Sequence, residues 1–116
     1  MKKPPTEETS PSTETTSQGL SQLDKLLEHR SRLGACVLLS DTDAMTFSSL
    51  KQLLKESDGN MGAHMRKLED IGYVQVNKRF ENRKPVTWYR LSAEGRTALK
   101  AHLEALQTII QGARLA

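Results

Sequence analysis

Apolar residues recur at helical spacing along most of the chain and then, for one stretch past its middle, alternate. Leu20, Leu23, Leu26 and Leu27 mark a short amphipathic helix over 20–28, with Asp24, Lys25 and Glu28 outside. A second helix, from Ser31 or Arg32 to Leu39, uses Leu33, Cys36, Val37 and Leu39 before the polar Ser40-Asp41-Thr42-Asp43 breaks it. Thr46 is a good N-cap for a third, whose apolar face is Phe47, Leu50, Leu53 and Leu54. That helix should end near Glu56, leaving Ser57-Asp58-Gly59 as a tight connection.

Ser57 or Asp58 can cap a fourth helix over about 58–71, in which Met61, Met65, Leu68 and Gly72 share one side. At about 100° per residue, Asn60, Ala63, Arg66, Lys67 and Asp70 occupy much of the other. Gly72 can take the left-handed conformation that stops a helix. "YVQVNKRF" then alternates, "ENRKP" interrupts, and "VTWYRL" resumes with Thr87, Tyr89 and Leu91 on a shared face. This reads as a β-hairpin with a tip of five residues or slightly more. Ser92 caps a long last helix, striped by Leu99, Leu103, Leu106 and Ile110. The expected fold is mainly α with a small β-hairpin: a winged helix-turn-helix with a long C-terminal helix.

Residues 1–18 hold five Thr, three Ser, three Glu and three of the four prolines, with no apolar residue after Met1. Such a segment cannot offset its ordering entropy by burial, so a disordered tail is expected over 1–18 and the winged-helix domain over 19–116. Cys36 is the only cysteine; it rules out an intrachain disulfide and, in "ACVLL", reads as a buried thiol. No apolar run is long enough to span a bilayer, and "MKK" is followed by polar residues rather than a signal-peptide core. A soluble, cytoplasmic protein is expected.

The overall charge of +3 decides little; its placement decides more. From Lys78 to Arg90 stand five cations, Lys78, Arg79, Arg83, Lys84 and Arg90, against the single anion Glu81. A basic wing over about 78–86 suits phosphates or the narrow minor groove, where strong negative potential favours arginine. An α-helix fits the major groove, with its N-terminal residues nearest the base edges. Asn60, Arg66 and Lys67 offer donors there, Ala63 lies beside them, and His64 sits on the flank between core and outer face.

In order and motif, Phe47 to Arg96 resembles the small winged-helix transcriptional regulators of the MarR/ArsR-like group. Those share a "dgNLs-HL-kLe-aGyv" helix, an "R-P-T-Y-L-T-eGr" wing strand and a following helix, and the likeness extends over roughly Leu20 to Leu106. It implies a recognition helix at Asn60–Asp70, a wing at Arg83-Lys84-Pro85, structural roles for Thr87, Tyr89 and Leu91, and a dimerisation helix starting at 92–95. Met61 and Met65 replace the usual leucines, and Gly62 replaces a serine whose hydroxyl can reach a phosphate or base. Independently, the C-terminal stripe is long for so small a core, so Leu99, Leu103, Leu106 and Ile110 with Leu20, Leu23 and Leu27 are expected to form a two-fold interface. Half-sites about 34 Å apart would then make the target an inverted repeat in double-stranded DNA.

No enzyme chemistry is expected. Cys36, His29, His64 and His102 form no spaced ligand pair, and His102 with Glu104 reads as a solvated or interface pair. There is no phosphate-binding glycine loop and no nucleophile motif, so no metal or cofactor is expected, and no effector site is visible. The leading reading is a repressor that occludes a promoter. Its alternatives are a protein–protein adaptor without nucleic acid, and a single-strand binder stacking bases on Tyr73, Phe80, Trp88 and Tyr89.

Overall fold

Leu27, Ala35, Cys36, Leu39, Leu50, Leu54, Met61, Met65, Leu68, Val74, Tyr89 and Leu99 form one buried apolar cluster, and the elements follow from how each segment reaches it. The computed structural model describes residues 10–115. Two compact units divide the chain: Asp24–Lys100, and residues 10–23 with 101–115.

In the first unit a 3-10 turn at Lys25–Glu28 leads into α2, Arg30–Ser40. The helix expected over 20–28 is broken: residues 20–21 end the preceding helix and the remainder is only this single turn, because Asp24 caps it at once through Leu26 N–H and His29 then restarts the chain as the α2 N-cap. Strand β1, Met45–Thr46, precedes α3, Phe47–Leu54. Thr46 Oγ1 accepts from Ser49 N–H at 3.1 Å, the expected cap. Lys55, at φ 56°, caps α3 after Leu54, two residues earlier than expected, so the connection is Lys55-Glu56-Ser57 and Asp58 and Gly59 already belong to α4, Asp58–Asp70. Leu53, expected on the apolar face of α3, is exposed, as is Val37 of α2.

α4 is held at both ends. Ser57 Oγ accepts from Asn60 N–H, and Lys51 pairs with Asp58 at 2.7 Å beside the positive helix end. Gly72, at φ 88°, stops it, with Tyr73 N–H donating back to Leu68 at 2.9 Å. β2, Val74–Glu81, and β3, Lys84–Leu91, pair antiparallel from Val74↔Leu91 to Glu81↔Lys84. The tip is thus two residues, Asn82-Arg83, both with positive φ, and not the five expected. The primed turn that positive φ at both positions makes matches the twist of the strands, so polar side chains did not prevent backbone pairing. Pro85 faces Phe80 one pair in from the turn, a non-hydrogen-bonded position whose nitrogen points away from β2, so it removes no rung.

β1 adds a third strand the sequence reading missed, giving the order β1-β3-β2. α5, Ala93–Gly112, starts on Ser92, whose hydroxyl accepts from Gly95 N–H and donates to the Gly72 carbonyl. Gly95 is obligatory in this packing: a Cβ there would strike the Tyr73 carbonyl oxygen.

In the second unit α1, Pro11–Ser21, corrects the expected tail over 10–18; the rest of that tail, 1–9, lies outside the described residues. Ser10 caps it through Thr13 N–H and Pro11 takes the first helical position, where a missing N–H costs nothing. α1 lies antiparallel to the end of α5, close enough that a Cβ on Gly19 would stand 2.7 Å from Ile109 Cγ1. His102 is buried rather than solvated. Leu27 and Leu99, expected at a two-fold interface, belong to the buried cluster instead. Leu20, Leu103 and Ile110 are exposed, and Leu23 and Leu106 are half-buried. Among the described residues, no helix is long and apolar enough to cross a membrane.

Candidate nucleic-acid interface

Burying Met61, Met65 and Leu68 turns one side of α4 inward and leaves Asn60, Ala63, Arg66 and Lys67 exposed together with Glu69 and Asp70. Gly59 and Gly62 lie on open space, so the start of the helix presents bare backbone. The helix therefore offers polar donors near its N-terminus on a scaffold fixed by cap, ion pair and glycine stop.

Strand alternation and the pairing register sort the wing residues onto two faces. Val74 and Val76 face the core, and Lys78 and Phe80 continue that face past its edge, opposite Thr87 and Pro85. The other face carries Gln75, Asn77, Arg79, Glu81, Lys84, Trp88 and Arg90. There Trp88 Nε1 donates to Glu81 at 2.8 Å and Arg79 lies over the indole, 5.8 Å from the ring centre. A shallow groove of about 320 Å³ runs beside them, lined also by Ala44 and Arg90. Arg83 is exposed at the turn, and Lys78, Arg79 and Lys84 are exposed around it. The wing's single carboxylate is thus tied to Trp88, while its cations remain open to solvent.

His64 is drawn off the outer face. Its ring packs on His29 with centres 4.1 Å apart, Arg32 Nη1 donates to its Nδ1 at 3.0 Å, and its Nε2 lies 3.6 Å from Glu56. Burial, with His29 and Arg32 nearby, lowers its pKa from the ordinary histidine value. Glu56 accepts a short hydrogen bond from the buried Ser31 hydroxyl, which holds its carboxyl below the usual range. Arg30 donates to the Leu54 carbonyl at the end of α3. This cluster ties α2, the α3–α4 turn and α4 together, and the sequence reading missed it. No local signal could have revealed it, since only the fold brings positions 29, 56 and 64 together.

His29, Glu56 and His64 present possible ligand atoms within 4.8 Å of one another. Their hydrogen bonds oppose coordination, however. His29 Nδ1 accepts from Ser31 N–H and His64 Nδ1 from Arg32, so each neutral ring carries its proton on Nε2, the atom a metal would need. Cys36 is buried and its pKa is pushed up to about 12 by burial, which makes it a poor thiolate donor.

Residues 31–110 match the family model described as a winged helix DNA-binding domain. The chain is 32% identical over 77 residues to an uncharacterized protein of Methanocaldococcus jannaschii, covering 66% of this chain and 84% of that one. Among solved structures it is similar to the transcriptional regulator homologue protein from Pyrococcus horikoshii OT3, with a TM-score of 0.76 and 27% identity over 88% of this chain and 99% of that one. MarR superposes with a TM-score of 0.66 at 14% identity, over 88% of this chain and 80% of its own.

Proposed function

The chain belongs to the winged-helix DNA-binding family, and on that premise we propose that it is a MarR-like, sequence-specific regulator of transcription that binds double-stranded DNA. α4 enters the major groove with Asn60, Arg66 and Lys67 toward base edges or phosphates and Ala63 in apolar contact; Lys78, Arg79, Arg83 and Lys84 follow the backbone or the minor groove. His64 acts in this reading by fixing the helix rather than by touching DNA. The observation that carries the proposal is the pairing of an α4 outer face left exposed by core packing with a wing whose cations outnumber its one engaged acid. The molecule works as a homodimer on an inverted repeat, in the cytoplasm, as a repressor by occlusion and without catalysis.

Selection of bound duplexes from a random pool tests this. A recovered palindrome supports the reading; a pool that stays random, with no salt-sensitive retention on DNA, sinks it and favours the adaptor alternative. On the recovered duplex, Arg83→Ala should weaken binding without unfolding the domain. Log affinity should fall with log salt by about 0.9 for each phosphate neutralised.

A further inference from the structure

Phe80 is 79% exposed, and neither the core nor the cation set explains it. Its partner across the hairpin is Pro85, also exposed, so the two make a small apolar patch one residue pair from the turn. The charge nearest it is positive: Lys78 precedes Phe80 on the same face and Arg83 is exposed at the turn, while Arg79 and Lys84 stand on the opposite face with Glu81. Glu81, the neighbouring acid, is bound to the Trp88 indole on the opposite face. The two-residue turn and the full ladder of pairs below it hold the ring on a stiff platform, on the face that Val74 and Val76 present to the helices.

Water gains nothing from an aromatic ring held out between Lys78 and Arg83, but a polyanion with apolar walls does. The minor groove of duplex DNA has this chemistry: phosphates along both rims, with sugars and base edges between them. Other proteins that enter it set apolar wedges among basic residues, paying for unstacking with added contact. We infer that Phe80, backed by Pro85, is the wedge of this wing: a salt-independent apolar contact with the sugars and base edges of duplex DNA, which makes groove width and step flexibility part of what the protein reads. This rests on the proposed function.

Binding of the duplex recovered by selection, and of a mixed-sequence duplex, is measured against salt for wild type, Phe80→Ala, Phe80→Trp and Lys78→Ala. Burying most of one aromatic ring corresponds to a loss of roughly tenfold to a hundredfold for Phe80→Ala on the selected duplex. Its salt slope should stay that of wild type, and Phe80→Trp should keep most of the affinity. Lys78→Ala should instead lower the slope by about 0.9. Far-ultraviolet dichroism confirms that the variants fold. If Phe80→Ala binds within about twofold of wild type while Lys78→Ala is weakened, the wedge is overturned and the DNA reading stands. The wedge is likewise overturned if Phe80→Ala reduces the salt slope as a lost cation does, or alters sedimentation instead of affinity. A wild type that holds no duplex sinks the DNA reading itself.

Discussion

Tyr73 shows how a single side chain joins distant parts of the sequence. Its hydroxyl donates to Asp24 at 2.6 Å across 49 positions, while its carbonyl accepts from Ser92 N–H and crowds Gly95. Burial, then the bond to Asp24, pushes its pKa from 10.0 to about 12. A folded pKa above the unfolded one means that the contribution is complete below pH 10 and is lost as pH rises through about 12. Tyr73→Phe should therefore cost about 1 kcal/mol at neutral pH, and its stability should fall less steeply than that of wild type above pH 10. Urea unfolding across that range checks both. Parallel slopes would remove the role given to the hydroxyl. Tyr73 packs half-buried against the core; its partner was illegible in the sequence, because pairing at that separation is a property of the fold.

Elements were legible where the chain marks its own ends. Ser57 and Gly72 bracket α4, Thr46 opens α3 and Ser92 opens α5, each a residue whose side chain or φ does the capping. Three things were not. β1 is too short to show alternation, α1 has almost no apolar residue (its Ser10-Pro11 start was the available signal), and the hairpin tip looked long because its residues are polar. The real tip places Asn82 and Arg83 in left-handed conformations, comfortable for asparagine and uncomfortable for arginine. Arg83→Gly should thus raise stability by about 1 kcal/mol while weakening operator binding. Thermal melting and a gel-shift titration of the same preparation would show the two moving in opposite directions. A loss of stability would mean that Arg83 holds the turn rather than serving DNA.

For the whole molecule, the fold type and the outer face of α4 were legible from patterning alone, but the surface free for self-association was overstated. Two of the seven leucine and isoleucine positions assigned to it are spent in the chain's own core. Leu103 and Ile110, one heptad apart on α5, remain 41% and 66% exposed. Exposed apolar residues in such a register are the proposed dimer contact. Leu103→Glu with Ile110→Glu should convert a dimer to a monomer by sedimentation equilibrium while leaving the dichroism spectrum unchanged, and should reduce affinity for a palindrome far more than for a half-site. A wild-type chain that sediments as a monomer would retire this interface.

The strand order has one more consequence. With β3 in the middle, β2 is left at the margin, and along Val74–Glu81 the main-chain groups on its outer side have no neighbouring strand among the described residues. Such a margin invites another chain to extend the sheet, and a hairpin of this length would be open to fibrous stacking. Lys78 and Arg79 stand in the middle of that border, so a second wing approaching it meets like charge before it can form a rung. The lysine and arginine proposed to attract a nucleic acid also repel the protein's own copies, and replacing both with neutral residues would trade away solubility along with binding.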